Sequence, residues 1–286
     1  MSARTIAWVD GAWGEGNVPL MGATTHAAWL SSVVFDGARA FGRMAPDLDR
    51  HCTRCIASAI AIGLAPTIDA AAIERLAWEG IDRFSDDAEL YIRPMFWAED
   101  GFLDPKPETT RFALVIEEAP LHAGTNFTAC LAGLRRPSPE TMPTEAKCAG
   151  LYVQVGRLAR EAKARGFEAS VVLDLNGNVA EFTAANLFIV REGVVATPTA
   201  NRTFLNGITR QRVIALLRGV GRTVDERTLT FDEVKAADEV FATGNYSKVR
   251  SCVRIEDRDL QPGPVAADAW RLYQEFAHQS FRPRRE

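Results

Sequence analysis

Residues 169–198, ASVVLDLNGNVAEFTAANLFIVREGVVATP, constrain the fold more than any other stretch. Apolar and polar residues alternate there, and Asn176-Gly177 and Glu192-Gly193 interrupt the runs. Alternation at period two marks a half-buried strand, and such dipeptides accept the positive φ of a tight hairpin. The stretch is expected to form an antiparallel meander. Further strands are expected at TIAWV (5–9) before Asp10-Gly11, within VVFDGARAF (33–41), at ELYIRPMFWA (89–98), TRFALVIEE (110–118), 129–135 and EVFAT (239–243). Elsewhere the period is helical. Cys52, Ile56, Ile60 and Leu64 follow Asp49 at that spacing, and more helices are predicted over 69–84, 152–165, 209–219 and 266–278. Thr230-x-x-Glu233 is a capping box ahead of a short helix. The fold class is α/β, with mixed sheets of the α+β kind.

At 286 residues the chain exceeds the usual size of one domain, so two are expected. Residues 119–128 (APLHAGTNFT) break both periodicities and read as a linker. It separates a small N-terminal α/β domain (1–118) from a large C-terminal domain (129–286). The formal charge of −4 gives no basic footprint for nucleic acid. No apolar run approaches the roughly 20 residues that span a bilayer, and MSARTIAWVDGAW lacks an apolar signal region. A cytoplasmic protein is expected, in which the sequons at Asn126, Asn201 and Asn245 carry no glycosylation meaning. Five cysteines do not make a disulfide framework. Cys52-Thr-Arg-Cys55 reads as two small buried residues on a helix face or as a metal or redox pair, though no second pair has zinc spacing. Gly11, Gly14 and Gly16 follow a hairpin signal and open no helix, so they are no dinucleotide fingerprint.

Only five of the 33 basic residues are lysines, and one of them, Lys147, sits in TEAKCAGLY among small and apolar neighbours. Desolvation keeps an amine neutral and nucleophilic, which covalent chemistry on a carbonyl requires. A lysine snorkelling near a helix start is the other reading. Asn206-Gly207-Ile208-Thr209 opens a helix whose free N–H groups can hold an anion or water. Gly244-Asn245, straight after a strand, lets backbone approach a ligand closely. Arg54, on a helix face, is a phosphate candidate or a solvated arginine. Tyr91 and Arg93 share one side of a strand, where a guanidinium fork suits a substrate carboxylate or a neighbouring acid. Glu181 ends a strand in apolar surroundings, and a carboxylate there needs a partner such as a cationic ring nitrogen.

The order of FDGARAF (35–41), HCTRC (51–55), YIRP (91–94), TEAKCAGLY (144–152), VAEFTAANLF (179–188), LNGITR (205–210) and EVFATGN (239–245) resembles the class IV, or fold type IV, pyridoxal-phosphate aminotransferases. Within them it is most similar to the branched-chain amino-acid aminotransferases. The resemblance runs from about residue 5 to 275. It implies a two-domain enzyme with pyridoxal 5′-phosphate (PLP) at the domain interface. It also implies at least a homodimer, in which one subunit's small domain closes over its partner's site. Lys147 matches the lysine that forms the internal aldimine, Glu181 the acid facing the pyridine nitrogen, and Tyr152 the tyrosine on the phenolate oxygen. Arg54, Ile208, Thr209 and Asn245 match phosphate positions, and Asn186, Leu205 and Gly244 further cofactor positions. Tyr91 and Arg93 match the substrate-carboxylate pair, Phe35 and Gly37 the side-chain pocket, and Arg39 and Tyr246 further substrate positions.

The implied activity is ping-pong transfer of an amino group from L-leucine, L-isoleucine or L-valine to 2-oxoglutarate. Lys147 serves as general base and acid. The chain departs from the branched-chain pattern at Asn245, where a threonine is usual, and at Tyr246, Leu30, Asp36, Pro120 and Leu121. These changes leave the cofactor chemistry and put substrate choice in question. A D-amino-acid or (R)-amine transaminase is the alternative. An aminodeoxychorismate lyase and a catalytically inactive binding relative come after it.

Overall fold

The computed structural model describes residues 3–121 and 125–284; residues 122–124 of the expected linker lie outside the described residues. The chain divides into two units. Of the described residues, 3–121, 146–151 and 277–284 make the first and 125–145 and 152–276 the second.

In the first unit, β1 (Thr5–Val9) and β2 (Ala12–Glu15) form the hairpin expected at Asp10-Gly11. Then follow α1 (His26–Leu30), β3 (Val33–Phe35), β4 (Ala38–Phe41), α2 (Leu48–Ala61), α3 (Ala70–Ile81), β5 (Glu89–Ala98) and β6 (Thr110–Glu118). The strands form one antiparallel sheet in the order β2-β1-β6-β5-β3, with β4 also paired to β5. β5 alternates as its sequence does. Leu90, Ile92 and Phe96 are buried, and Tyr91 and Arg93 lie on the other face, half-buried. Helix α3 starts where Asp69 accepts a bond from the Ala72 amide (2.7 Å), a standard N-cap. Cys52 and Cys55 sit buried on α2, and burial pushes both thiols well above their usual range, away from the reactive thiolate.

Residues 146–151 group with this unit for a visible reason. Cys148 bridges Val34, the Phe35 amide donates to the Lys147 carbonyl (3.1 Å), and the Lys147 amide donates to Ser58 Oγ (3.0 Å).

The second unit holds β7 (Phe127–Leu131), α4 (Tyr152–Ala164), β8 (Ala169–Leu173), β9 (Val179–Phe182), β10 (Asn186–Arg191), β11 (Val194–Pro198), α5 (Ile208–Gly219) and β12 (Val224–Arg227). After these come α6 (Phe231–Ala236), β13 (Glu239–Gly244), β14 (Lys248–Ile255), β15 (Arg258–Asp259) and most of α7 (Pro264–His278). The sheet is mixed, in the order β12-β11-β10-β13-β14-β7-β8-β9, with β15 on β14. β11 with β12, β14 with β7, and β7 with β8 run parallel.

The expected meander resolves into two hairpins, β8–β9 and β10–β11, which are not joined edge to edge. Between them Ser170 N donates to Thr183 Oγ1 (2.8 Å) and Phe182 N to the Ala185 carbonyl (2.8 Å). The chain turns there, and β10 pairs with β13 instead. β7 ends at Leu131 rather than 135, because Glu161 draws the Gly133 amide out of the ladder (2.7 Å). β14 showed no alternation in sequence because its register shifts between Cys252 and Arg254. Phe188 and Phe241, cross-strand partners, stack at 4.9 Å on one face of the sheet. On the β7–β9 side of the same unit Phe127 meets Phe182 edge-on at 5.0 Å. Each buried ring of this kind contributes about 1.5–3 kcal/mol.

Candidate active site

In the first unit the side chain of Lys147 reaches toward Phe35, with Nζ 4.8 Å from the ring centroid. Its neighbours Ala146 and Cys148 are buried, as the run of small residues implied. Directly after Phe35, at the end of β3, Asp36 is fully buried and is the hub of this unit's charges. It accepts from Arg54 Nε (2.7 Å) and Nη2 (2.8 Å), from His51 Nδ1 (2.7 Å) and from the Gly37 amide (2.7 Å). Burial alone would raise its pKa. The charge and hydrogen bonds of Arg54, with His51, more than offset that and hold the carboxyl well below the usual range. Asp36 thus fixes the direction of the Arg54 guanidinium on α2.

The spacing of β4 and β5 brings Gly37 under the Tyr91 ring; a β-carbon at residue 37 would lie 2.2 Å from the phenol oxygen. Arg93 sits 5.8 Å over the same ring and pairs with Glu117 Oε1 across the ladder (3.4 Å). Arg39 is wholly buried in β4 and donates to the Ala119 carbonyl.

In the second unit Glu181 is buried on β9, and Arg136 Nε lies 3.3 Å from its Oε1. Arg136 is itself buried and also donates to the Thr203 carbonyl (3.2 Å). Two opposite charges buried together hold one another in place. On β10, Asn186 ties the loop before α5 to the sheet. Its Nδ2 donates to the Leu205 carbonyl (3.0 Å) and its Oδ1 accepts from the Gly207 amide (3.1 Å). A β-carbon at residue 207 would stand 2.1 Å from that oxygen, so the approach requires glycine.

Helix α5 then opens at Ile208 and Thr209 with no side-chain cap, and its first amides point at whatever occupies that end. Thr243, the ladder partner of Asn186, is 1% exposed, and its hydroxyl has no hydrogen-bond partner. After Gly244, Asn245 Nδ2 is likewise buried without a partner, and Asn245 Oδ1 accepts from Lys248 Nζ (2.8 Å). Tyr152 starts α4, and Tyr246 is exposed beyond the turn.

Sequence reading missed Arg136, Ser58, Thr243 and Lys248. Arg136 lies in an unremarkable Arg-Arg-Pro run, and nothing in its spacing points to Glu181. Thr243 carried a faint signal, a hydroxyl on the strand just before Gly244-Asn245.

Among the described residues, no cluster of His, Cys, Asp and Glu is arranged to hold a metal, and no helix is long and apolar enough to cross a membrane. The family model of amino-transferase class IV matches residues 33–255. The chain belongs to the class IV aminotransferases. It is 29% identical over 252 residues to the probable branched-chain-amino-acid aminotransferase of Rickettsia bellii, covering 87% of this chain and 86% of that one. An aminotransferase from Brucella abortus bound to the co-factor PLP shares 48% identity at a TM-score of 0.95, over 96% of this chain and 99% of the other. A bacterial-type relative solved as a branched-chain amino acid aminotransferase complexed with N-(5′-phosphopyridoxyl)-L-glutamate shares 28% identity at 0.88, over 98% and 95%. The branched-chain aminotransferase of the archaeon Thermoproteus uzoniensis, solved with norvaline, shares 27% identity at 0.90, over 97% and 96%.

Proposed function

We propose that this chain is a PLP-dependent aminotransferase that moves the amino group of a branched-chain L-amino acid to 2-oxoglutarate. The observation that carries the cofactor assignment is the donor set of the second unit. Two buried, unpartnered donors, Thr243 Oγ1 and Asn245 Nδ2, accompany the uncapped start of α5, to which Asn186 ties the sheet. Buried donors left unpaired cost free energy that an anion's oxygens would recover, and such a set fits a phosphate. The branched-chain assignment is supported by the relatives' names and by the phosphopyridoxyl-glutamate adduct in one of the solved enzymes.

When bound, PLP supplies an aldehyde that takes up an amine and a ring that withdraws electrons from the carbon bearing it. The chain's own residues do the rest. Arg54, aimed by Asp36, and the amides of Ile208 and Thr209 hold the phosphate. Glu181, kept in place by Arg136, holds negative charge for the ring nitrogen. Tyr152 donates to the ring oxygen. Lys147 is the covalent anchor, and once released its Nζ takes a proton from the donor carbon and returns it elsewhere. Phe35 and Gly37 give the side chain an apolar wall, and Tyr91 with Arg93 takes the carboxylate. A homodimer is the proposed assembly.

The test is a half-reaction spectrum of the PLP-loaded protein with separate L-leucine, D-alanine and (R)-1-phenylethylamine. Loss of the band near 400 nm with L-leucine, followed by its return on adding 2-oxoglutarate, is expected. Conversion by D-alanine or the (R)-amine alone would overturn the substrate assignment.

A further inference from the structure

Lys248 is a lysine in an unusual place. It opens β14 opposite Gly244, is 1% exposed, and holds a backbone φ of +58°. A left-handed conformation favours glycine or asparagine, and burial of an ammonium is costly without a partner. Both costs are met on one side chain, which indicates that the position is over-determined by its surroundings. Nζ donates to Asn245 Oδ1 (2.8 Å) and lies 5.5 Å from the centroid of the Tyr273 ring on α7.

The contact with Asn245 has a directional consequence. An ammonium only donates, so it must meet the carboxamide at its oxygen. Lys248 therefore fixes which end of the Asn245 amide points which way, and Nδ2 becomes the donor at the other end. That Nδ2 is buried and has no partner in the protein, and the hydroxyl of Thr243, two residues earlier, is buried and unpartnered too.

Resting on the phosphate role proposed above for Asn245, we propose that Lys248 is the positioning residue of the phosphate turn. It holds the Asn245 carboxamide with its Nδ2 toward the cofactor phosphate and places a buried positive charge behind it. A threonine at residue 245, the residue usual in the families this chain resembles, would orient its own hydroxyl by rotation and need no such support. An asparagine does need it. Lys248 and Asn245 act as one unit that replaces a single threonine.

The test uses the full-length apoprotein titrated with PLP and with pyridoxal, which lacks the phosphate, and ³¹P NMR of the loaded protein. In wild type the bound phosphate stays dianionic across pH 5.5–8, where a free phosphate monoester titrates near a pKa of about 6. Lys248→Met should weaken PLP binding roughly tenfold or more, as expected for a lost charge-assisted contact. Pyridoxal binding should be unchanged, and the bound ³¹P signal should begin to titrate. Adding Asn245→Thr to Lys248→Met should restore most of the PLP affinity, which a merely structural lysine would not allow.

Asn245→Asp keeps the contact with Lys248 and needs no repacking. It should lose PLP affinity selectively, and it serves as the test should Lys248→Met not fold. Unchanged PLP affinity and ³¹P behaviour in Lys248→Met, or in Asn245→Asp, would overturn the proposal, as would failure of Asn245→Thr to rescue. Equal affinity of wild type for PLP and pyridoxal would instead sink the phosphate-site reading on which it rests.

Discussion

The phenol oxygen of Tyr91 occupies the space that a β-carbon on Gly37 would need, at 2.2 Å, with the ring carbon Cζ at 2.6 Å. The two residues face each other across the pairing of β4 with β5, in which Ala38 stands opposite Ile92 and Arg39 opposite Tyr91. A tyrosine placed to bind a substrate carboxylate therefore depends on the absence of one methyl group.

Gly37→Ala must displace the Tyr91 ring. The account predicts a KM for the amino donor raised about tenfold, with PLP affinity unchanged and a stability loss of about 1–3 kcal/mol from overpacking. Steady-state kinetics beside a PLP titration would check this. An unchanged KM would remove Tyr91 from the substrate site.

Asp36→Asn removes the acid that aims Arg54. Removing one partner of a buried ion pair costs about 3–5 kcal/mol, so the variant should be that much less stable at pH 7. The folded-state pKa of Asp36 lies below its unfolded value near 4. Its contribution is thus fully present above pH 5 and is lost as pH falls toward the folded value. Denaturant melts at pH 7, 5 and 3 should show the gap between wild type and Asp36→Asn constant at the first two and smaller at the third. A gap that widened in acid would contradict the pairing.

Glu181→Gln exchanges a buried charge for an amide of the same shape and leaves Arg136 without its acid. Turnover should fall by about 10²-fold, the scale seen when one preorganised electrostatic contact is lost. PLP should still be bound through its phosphate. Stopped-flow half-reactions would measure the fall, and rates equal to wild type would take Glu181 out of the mechanism.

Much of this molecule was legible in its sequence, for identifiable reasons. β5 and β6 occupy Glu89–Ala98 and Thr110–Glu118, where alternation and flanking turns marked them. The capping box at Thr230 and Glu233 forms as written, because both of its bonds are local. What the sequence hid depends on contacts between distant positions. The separation of β9 from β10 rests on Ser170 and Thr183. The register shift in β14 erases its period. The Arg136–Glu181 and Asp36–Arg54 pairs join residues 45 and 18 positions apart (181 − 136 and 54 − 36). Lys147 stood out because a lysine among small residues is uncommon in so lysine-poor a chain, whereas its backbone anchor Ser58 carries no local signal at all.

Borohydride treatment of the PLP-loaded protein, followed by peptide mapping, tests the whole account most directly. Reduction should fix the cofactor to one peptide, the one containing Lys147, and Lys147→Ala should keep its fold, bind PLP without that link and lose turnover. A label on any other lysine, no label, or near-normal turnover in Lys147→Ala would contradict it.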